Sequence, residues 1–324
     1  MAKNSGQPIR RIRDLAAYGL FRLVTAAVGM LPERAAVLAG RAFGWLFWRL
    51  SAKRRLRAIK HIEDALSDEL SKEEIRRLAR ESFTYIGLTA IETMWAARRI
   101  SKDSSFFDGR FPLEGFEAMD AELAKGHGAL AATMHLGNWE LIGARLATRL
   151  DKVAVTALPG KNQRVSDHVI RMREQMGIRV ISSEGGVRPM VAALKDGCLL
   201  GFLIDRHVDT AYAQTKFFGL DAATSKIVAA LARRLDLPVF IGYSLRDGHS
   251  FRHRGFIEGP IELVKTDDRE SDVLVNTQRF TDRFEAVIRE RPEQWLWVQK
   301  RWRLAKTLRR KQEREAAEQA PRAE

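Results

Sequence analysis

ALAATMHLGNWE, residues 129–140, joins a short apolar run to a histidine, a glycine, an asparagine and then an amphipathic segment. An unbroken run of this length ending in Gly and Asn reads as a buried strand that turns into a helix. The same pattern recurs downstream. VAVTAL (153–158), IRVIS (178–182), CLLGFLI (198–204) and PVFIGYS (238–244) are further strand candidates. The segments 139–150, 163–176, 187–196 and 224–235 between them carry helical periodicity. Strand and helix alternating at this spacing predict an α/β fold, with a mainly parallel or mixed central sheet covered by helices on both faces. FRHRGFIEG (251–259) is expected to add an antiparallel strand, and a long helix is expected over 270–290.

Upstream, the pattern is helical from about residue 60 to 100, with Ser71 ahead of Glu73 and Glu74 as an N-cap and acidic first turn. The chain divides by composition into basic, amphipathic N-terminal helices (1–60), a main domain (61–303) and a charged tail (304–324). Of 324 residues 45% are hydrophobic, enough for a sizeable core, which excludes disorder for the body of the chain. A single cysteine, Cys198, excludes an internal disulfide, and it lies in an apolar run that reads as a buried strand. No Cys/His spacing suits a metal, and none is expected.

The net charge of +14 is unevenly placed: +11 over residues 1–60, +5 over 300–324 and −2 between. Basic ends fit nucleic acid or an anionic membrane surface, and the large apolar residues of the N-terminus favour the membrane. Pro32 separates two helices there. Phe43, Trp45, Phe47 and Trp48 precede Lys53, Arg54, Arg55 and Arg57, the order of an interfacial helix pair seated on a bilayer. The alternative is that these helices simply cap a soluble core. No run of 18 uncharged apolar residues is present, so no clean spanning helix is expected.

The chemistry centres on MHLGNWE. His135 falls in the strand-to-helix turn, Gly137 permits that turn, Asn138 N-caps the helix, and Glu140 enters its first turn. A carboxylate there can hold one imidazole nitrogen and leave the other to take a proton. Carboxyl ends of strands in open α/β sheets are where ligands collect.

His135-Leu-Gly-Asn-Trp-Glu140 resembles the H-x4-D/E motif of glycerolipid-type acyltransferases, and more narrowly the lipid A biosynthesis (lauroyl/myristoyl) acyltransferase family. Further stretches match in order: LPGKNQRV with Asn162, Arg173-Glu-Gln-Met-Gly177, SEGGVRPMVAALKDG, the strand ending at Asp205, FFG (217–219) before a small-residue helix, and RPEQWLW (291–297) before Lys-Arg-Trp-Arg. The resemblance covers about residues 20–303, and RPEQWLW is its most specific part.

It implies an inner-membrane enzyme, on the cytoplasmic face, that moves a fatty acyl group to a lipid hydroxyl without a resident cofactor. The thioester donor is acyl carrier protein or coenzyme A. On that reading His135 is the general base, Glu140 fixes its tautomer, and Arg173 stabilises the oxyanion, as a cationic donor should. Asn138, Lys161, Asn162, Arg164, Asp205, Arg206 and Lys216 are expected to bind substrate, the cations meeting phosphates. Where the family usually has Gln after this Asp, the chain has Arg206 and His207. This departure points toward relatives that acylate phosphatidylinositol mannosides or other glycolipids. Asp205 either orients a sugar or pairs with Arg206. Trp295, Trp297 and Trp302 either line an acyl groove or membrane interface, or pack the core. The rival readings are a non-catalytic membrane or nucleic-acid module, and a hydrolase in which His135 and Glu140 activate water.

Overall fold

The computed structural model describes residues 7–100, 105–158, 160–304 and 307–308. The chain opens with four helices: α1 (Gln7–Met30), α2 (Glu33–Leu50), α3 (Ala52–Leu66) and α4 (Lys72–Ile100). Pro32, in an extended conformation, breaks α1 from α2. Ser71 and Glu74 form a reciprocal cap at the start of α4: the Ser71 backbone N–H donates to the Glu74 carboxylate (2.9 Å), and the Glu74 N–H donates to Ser71 Oγ (3.3 Å).

The sheet follows. β1 (Leu113–Glu114), α5 (Phe116–Leu123), β2 (Ala129–Thr133), α6 (Trp139–Ala147), β3 (Val153–Ala157), α7 (Gln163–Gln175), β4 (Ile178–Ser182), α8 (Arg188–Lys195) and β5 (Leu199–Leu203) come first. A hairpin of β6 (Tyr212–Phe217) and β7 (Leu220–Ser225) intervenes, and then α9 (Ile227–Leu235), β8 (Val239–Arg246), β9 (His253–Glu258) and α10 (Arg269–Glu290) complete the order. Seven strands form one sheet in the order β1-β9-β8-β2-β5-β3-β4. Strands β8, β2, β5, β3 and β4 run parallel, while β9 is antiparallel to β8. The expected strands are therefore present, the antiparallel addition included.

The hairpin is a departure. Residues 220–225, expected to lead into a helix, pair with β6, and α9 starts only at Ile227. Phe218 and Gly219 both take positive φ (51° and 71°), the two-residue turn whose twist suits a hairpin. The small residues Ala222, Ala223 and Thr224 are buried, so their size answers to packing rather than to helix propensity.

Two cores flank the sheet. Along β2, Leu130 and Ala132 join one core while Ala129 and Ala131 join the other, the period of two that buries a strand on both faces. The first core takes residues from α3, α8, α9 and α10; the second takes them from α5, α6 and α7. Helix α4 serves both, Phe83 packing in the first and Leu88 and Trp95 in the second. It meets α2 at unusually close range: a Cβ on Gly87 would strike the backbone of Gly40 and Gly44, and one on Gly44 would strike Phe83 and Thr84. Trp295, Trp297 and Trp302 are almost wholly buried in the first core. Each indole removes roughly 150–250 Å² from water, about 4–6 kcal/mol gross, so packing claims these side chains.

Among the described residues no helix is long and apolar enough to cross a membrane. The aromatic cluster of α2 divides: Phe47 and Trp48 turn inward onto Phe83, while Phe43 and Trp45 are exposed. The charged tail from 305 onward lies outside the described residues except for 307–308.

Candidate active site

Strands β2 and β5 are parallel neighbours with Thr133 opposite Leu203. Two residues beyond each partner, His135 and Asp205 stand at equal height on the carboxyl edge of the sheet. They meet there: Nδ1 of His135 lies 2.7 Å from Oδ1 of Asp205. The other carboxylate oxygen accepts the His135 backbone N–H (2.8 Å), the Trp295 indole N–H (2.8 Å) and the Gln299 amide (3.2 Å). Burial alone would raise the Asp205 pKa, but the His135 ring and backbone and the Trp295 N–H together hold it down to about 2. A carboxylate fixed in this way accepts a hydrogen bond from the Nδ1–H of the imidazole. Nε2 is then the basic nitrogen, and it has no hydrogen-bond partner among the described residues.

The turn that carries His135 is clamped from behind. Gly137, at φ 59°, has no room for a Cβ against the Ser244 carbonyl. Its own carbonyl accepts from Thr89 (2.9 Å), its N–H donates to the Gln294 carbonyl (3.2 Å), and Leu136 bridges Trp295. Asn138 caps α6 by accepting the N–H groups of Glu140 and Leu141, and its amide donates to Glu92 at 2.8 Å. Glu92 is itself buried with Arg246 (2.5 Å) and His253 (2.9 Å). Burial opposes ionisation of Glu92, yet these cationic and donor partners keep its pKa near about 2.

Glu140 departs from the expected arrangement. Its carboxylate is bound by Arg173, Nε donating to Oε2 (2.8 Å) and Nη2 to Oε1 (2.6 Å). The pair joins α6 to α7, and Asp205 occupies the place beside His135 that was expected for Glu140. A side chain in the first turn of α6 points away from the turn toward the neighbouring helix, whereas Asp205 arrives from the adjacent strand. Burial works against the Arg173 charge, and Glu140 more than offsets it, raising the pKa. With Nε and Nη2 committed, Nη1 is the nitrogen of Arg173 with no described partner.

The Glu140–Arg173 pair is part of the wall of an apolar cavity of about 310 Å³. Phe21 from α1, Ile86, Ala90 and Met94 from α4, Trp139 from α6, and Val169, Met172 and Met176 from α7 line it. Trp139 also meets the His135 ring edge-to-face, with centroids 5.0 Å apart, so the histidine stands against a wall residue of the cavity. A cavity of this size and apolarity suits an alkyl chain.

The remaining expected substrate contacts divide. Asn138 and Asp205 are buried, with side chains committed to the fold and to His135, so neither is placed to touch substrate. Asp205 does not pair with Arg206, whose side chain is exposed. Asn162 caps α7 and donates to the Asp14 carbonyl, tying α7 to α1. Lys161 and Arg164 are exposed at the start of α7. Lys216 pairs with Asp221 within the hairpin (3.0 Å). Gln299, Thr89, Glu92, Ser244 and Arg246 were not anticipated as site residues, and Trp295, expected to line a groove or interface or to pack the core, is buried in the core and donates to Asp205. Glu92 alone left a sequence signal, an acid within the apolar stretch Ala90-Ile-Glu-Thr-Met-Trp.

Residues 9–304 match the family described as bacterial lipid A biosynthesis acyltransferase. The chain is 29% identical over 193 residues to a phosphatidylinositol mannoside acyltransferase of Mycobacterium tuberculosis, covering 58% of each chain. It is 24% identical over 239 residues to a lipid A biosynthesis palmitoleoyltransferase of Escherichia coli, covering 72% of this chain and 74% of the relative. The chain thus spans less than two thirds of the mycobacterial relative. The match to the family takes in the sheet, the His135–Asp205 edge and the cavity alike, and on it the chain belongs to the bacterial lipid A biosynthesis acyltransferase family.

Proposed function

We propose that this protein is an O-acyltransferase that moves a fatty acyl group from the thioester of acyl carrier protein to a hydroxyl of a lipid A precursor. The observation that carries the reading is a buried Asp205 holding His135 against Trp139, a wall residue of an apolar cavity. In the reaction, Nε2 of His135 takes the acceptor hydroxyl proton as the oxygen attacks the thioester carbonyl carbon. The new C–O bond forms, the C–S bond breaks, and the imidazolium returns the proton to the departing thiolate. Asp205 stabilises the imidazolium, and Nη1 of Arg173 serves as a donor to the oxyanion. Coenzyme A is the alternative donor.

A second acceptor class, a mannosylated phosphoinositide or other glycolipid, is favoured by Arg206 and His207 after Asp205 and by the name of the mycobacterial relative. The site of action is the cytoplasmic face of the inner membrane. Leu20, Leu23, Trp45 and Leu50, exposed on α1 and α2 among arginines, would lie in the interface.

Mass spectrometry of lipids from a host lacking its own late lipid A acyltransferases, expressing wild type or His135→Ala, tests the proposal. One acyl mass added to lipid A by wild type alone supports it. An added acyl chain on another glycolipid moves the acceptor to the second class. Release of free fatty acid with no acylated lipid makes the protein a hydrolase and overturns the reading.

A further inference from the structure

A second cavity, about 240 Å³, lies away from the apolar one, where α3 meets the segment after Trp297. Arg57, His61, Lys300, Trp302 and Arg303 line it, and no carboxylate is among them. Of the nearby acids, Asp64 holds Lys60 at 2.6 Å, outside the lining, while Asp209 pairs with Arg303 of the rim at 2.9 Å. Arg57 spends Nη1 on the Val298 carbonyl (3.0 Å) and has no carboxylate partner among the described residues. Lys300 is exposed and likewise has none there.

Just behind this rim Arg301 is buried, with no acid against it among the described residues. Its Nη2 donates to Thr224 Oγ1 (2.7 Å), its guanidinium stands over the Phe217 ring (4.7 Å), and its buried Nε has no partner. Burial, the chief influence on it, lowers its pKa to about 10, the mark of a cation short of counter-charge. Asp205, whose charge favours the Arg301 cation, already accepts from His135, Trp295 and Gln299. The rim therefore keeps two cations, Arg57 and Lys300, without a carboxylate among the described residues, beside the Arg303–Asp209 pair.

We propose that this pocket binds a phosphate group, held by Arg57, Lys300 and Arg303 over the Trp302 ring. Phosphate suits the donors: guanidinium forks and an ammonium converge on one concave site, as charge-assisted recognition of a compact dianion or diester requires. Two sources present that chemistry near this edge of the sheet. One is the phosphodiester of a pantetheine arm, because Trp295, Leu296 and Gln299, which touch Asp205 and the His135 carbonyl, lead directly into Lys300. The other is a lipid headgroup, because Leu50 and Leu56, both strongly exposed, flank the basic start of α3.

Phosphorus NMR line-broadening of inorganic phosphate, with wild type and Lys300→Glu, tests the site. Lys300 is exposed and without a described partner, so folding is not at stake. Loss of one charge-assisted contact should weaken phosphate binding by about tenfold or more. Titration with 4′-phosphopantetheine against pantetheine, and flotation with phosphatidylcholine vesicles with and without phosphatidylglycerol, then distinguish the sources. A wild-type advantage over Lys300→Glu confined to 4′-phosphopantetheine assigns the arm, and one confined to the anionic vesicles assigns the headgroup. An advantage for inorganic phosphate alone assigns a soluble phosphate. Equal phosphate binding by wild type and variant, or none by either, overturns the proposal. Binding is read directly, so failure here and failure of acyl transfer are distinguishable.

Discussion

At the residue scale the site depends on one carboxylate doing several tasks at once. Asp205 accepts from the ring, the backbone and two further side chains, so its replacement disturbs both the tautomer of His135 and its position. His135→Ala should lower the rate of acyl transfer by about 10²–10⁴-fold. Asp205→Asn should cost on the order of 10³-fold or more, because an amide no longer selects the Nδ1–H form. Both are checked by single-turnover assays with acyl carrier protein thioester and purified acceptor. Acid stability gives a second test. The folded pKa of Asp205, about 2, lies below its ordinary 3.8, so its stabilisation is complete above pH ~4 and is lost as the pH falls toward ~2. Urea midpoints across that window should fall for wild type and stay flatter for Asp205→Asn. His135 was legible in the sequence, because a strand end followed by Gly and Asn fixes where it stands. Its partner was not. That Asp205 faces His135 follows from β5 lying beside β2, and hydrophobic periodicity places strands along the chain without ordering them across a sheet.

At the element scale α7 and α4 act as the walls of the alkyl cavity. Ala90, on α4, lines it without filling it, so Ala90→Phe should shorten the preferred acyl chain while leaving the His135–Asp205 contact intact. Competition between thioesters of different length, read by mass spectrometry, checks this. The Glu140–Arg173 pair holds α6 to α7. Either single alanine variant should be less stable by about 1–3 kcal/mol, since each leaves a largely buried charge unpaired, and the double variant should lose less than the sum. Close packing of α2 on α4 makes Gly87→Ala destabilising by about 1–3 kcal/mol, measurable by thermal unfolding, because a methyl group there meets backbone rather than a side chain that can move. The helices and parallel strands were readable because their periods differ. The β6–β7 hairpin was not, because Leu220-Asp-Ala-Ala-Thr-Ser shows no alternation that distinguishes a small-residue strand from a helix start.

On the scale of the whole molecule, exposed apolar residues gather on one set of helices. Ile12, Leu20, Leu23, Met30, Leu38 and Trp45 are all exposed on α1 and α2, which also carry Arg11, Arg13, Arg22, Arg34, Arg41 and Arg49. A bilayer would cover that surface without any helix crossing it. Replacing Leu20, Leu23 and Trp45 with serine should reduce flotation with anionic vesicles and leave the fold intact by circular dichroism. The basic start of the chain was legible as composition. Which of its aromatics turn outward was decided by Phe83, a residue far along α4 that takes Phe47 and Trp48 for the core.

The strip from Trp295 to Gln299, which touches both His135 and Asp205, has a consequence for biogenesis. A ribosome releases β2 and β5 before this strip. Nascent protein therefore carries its histidine on β2 while its aspartate is still without the indole and amide that fix it. The His135–Asp205 pair is thus completed only once the strip after α10 has been made.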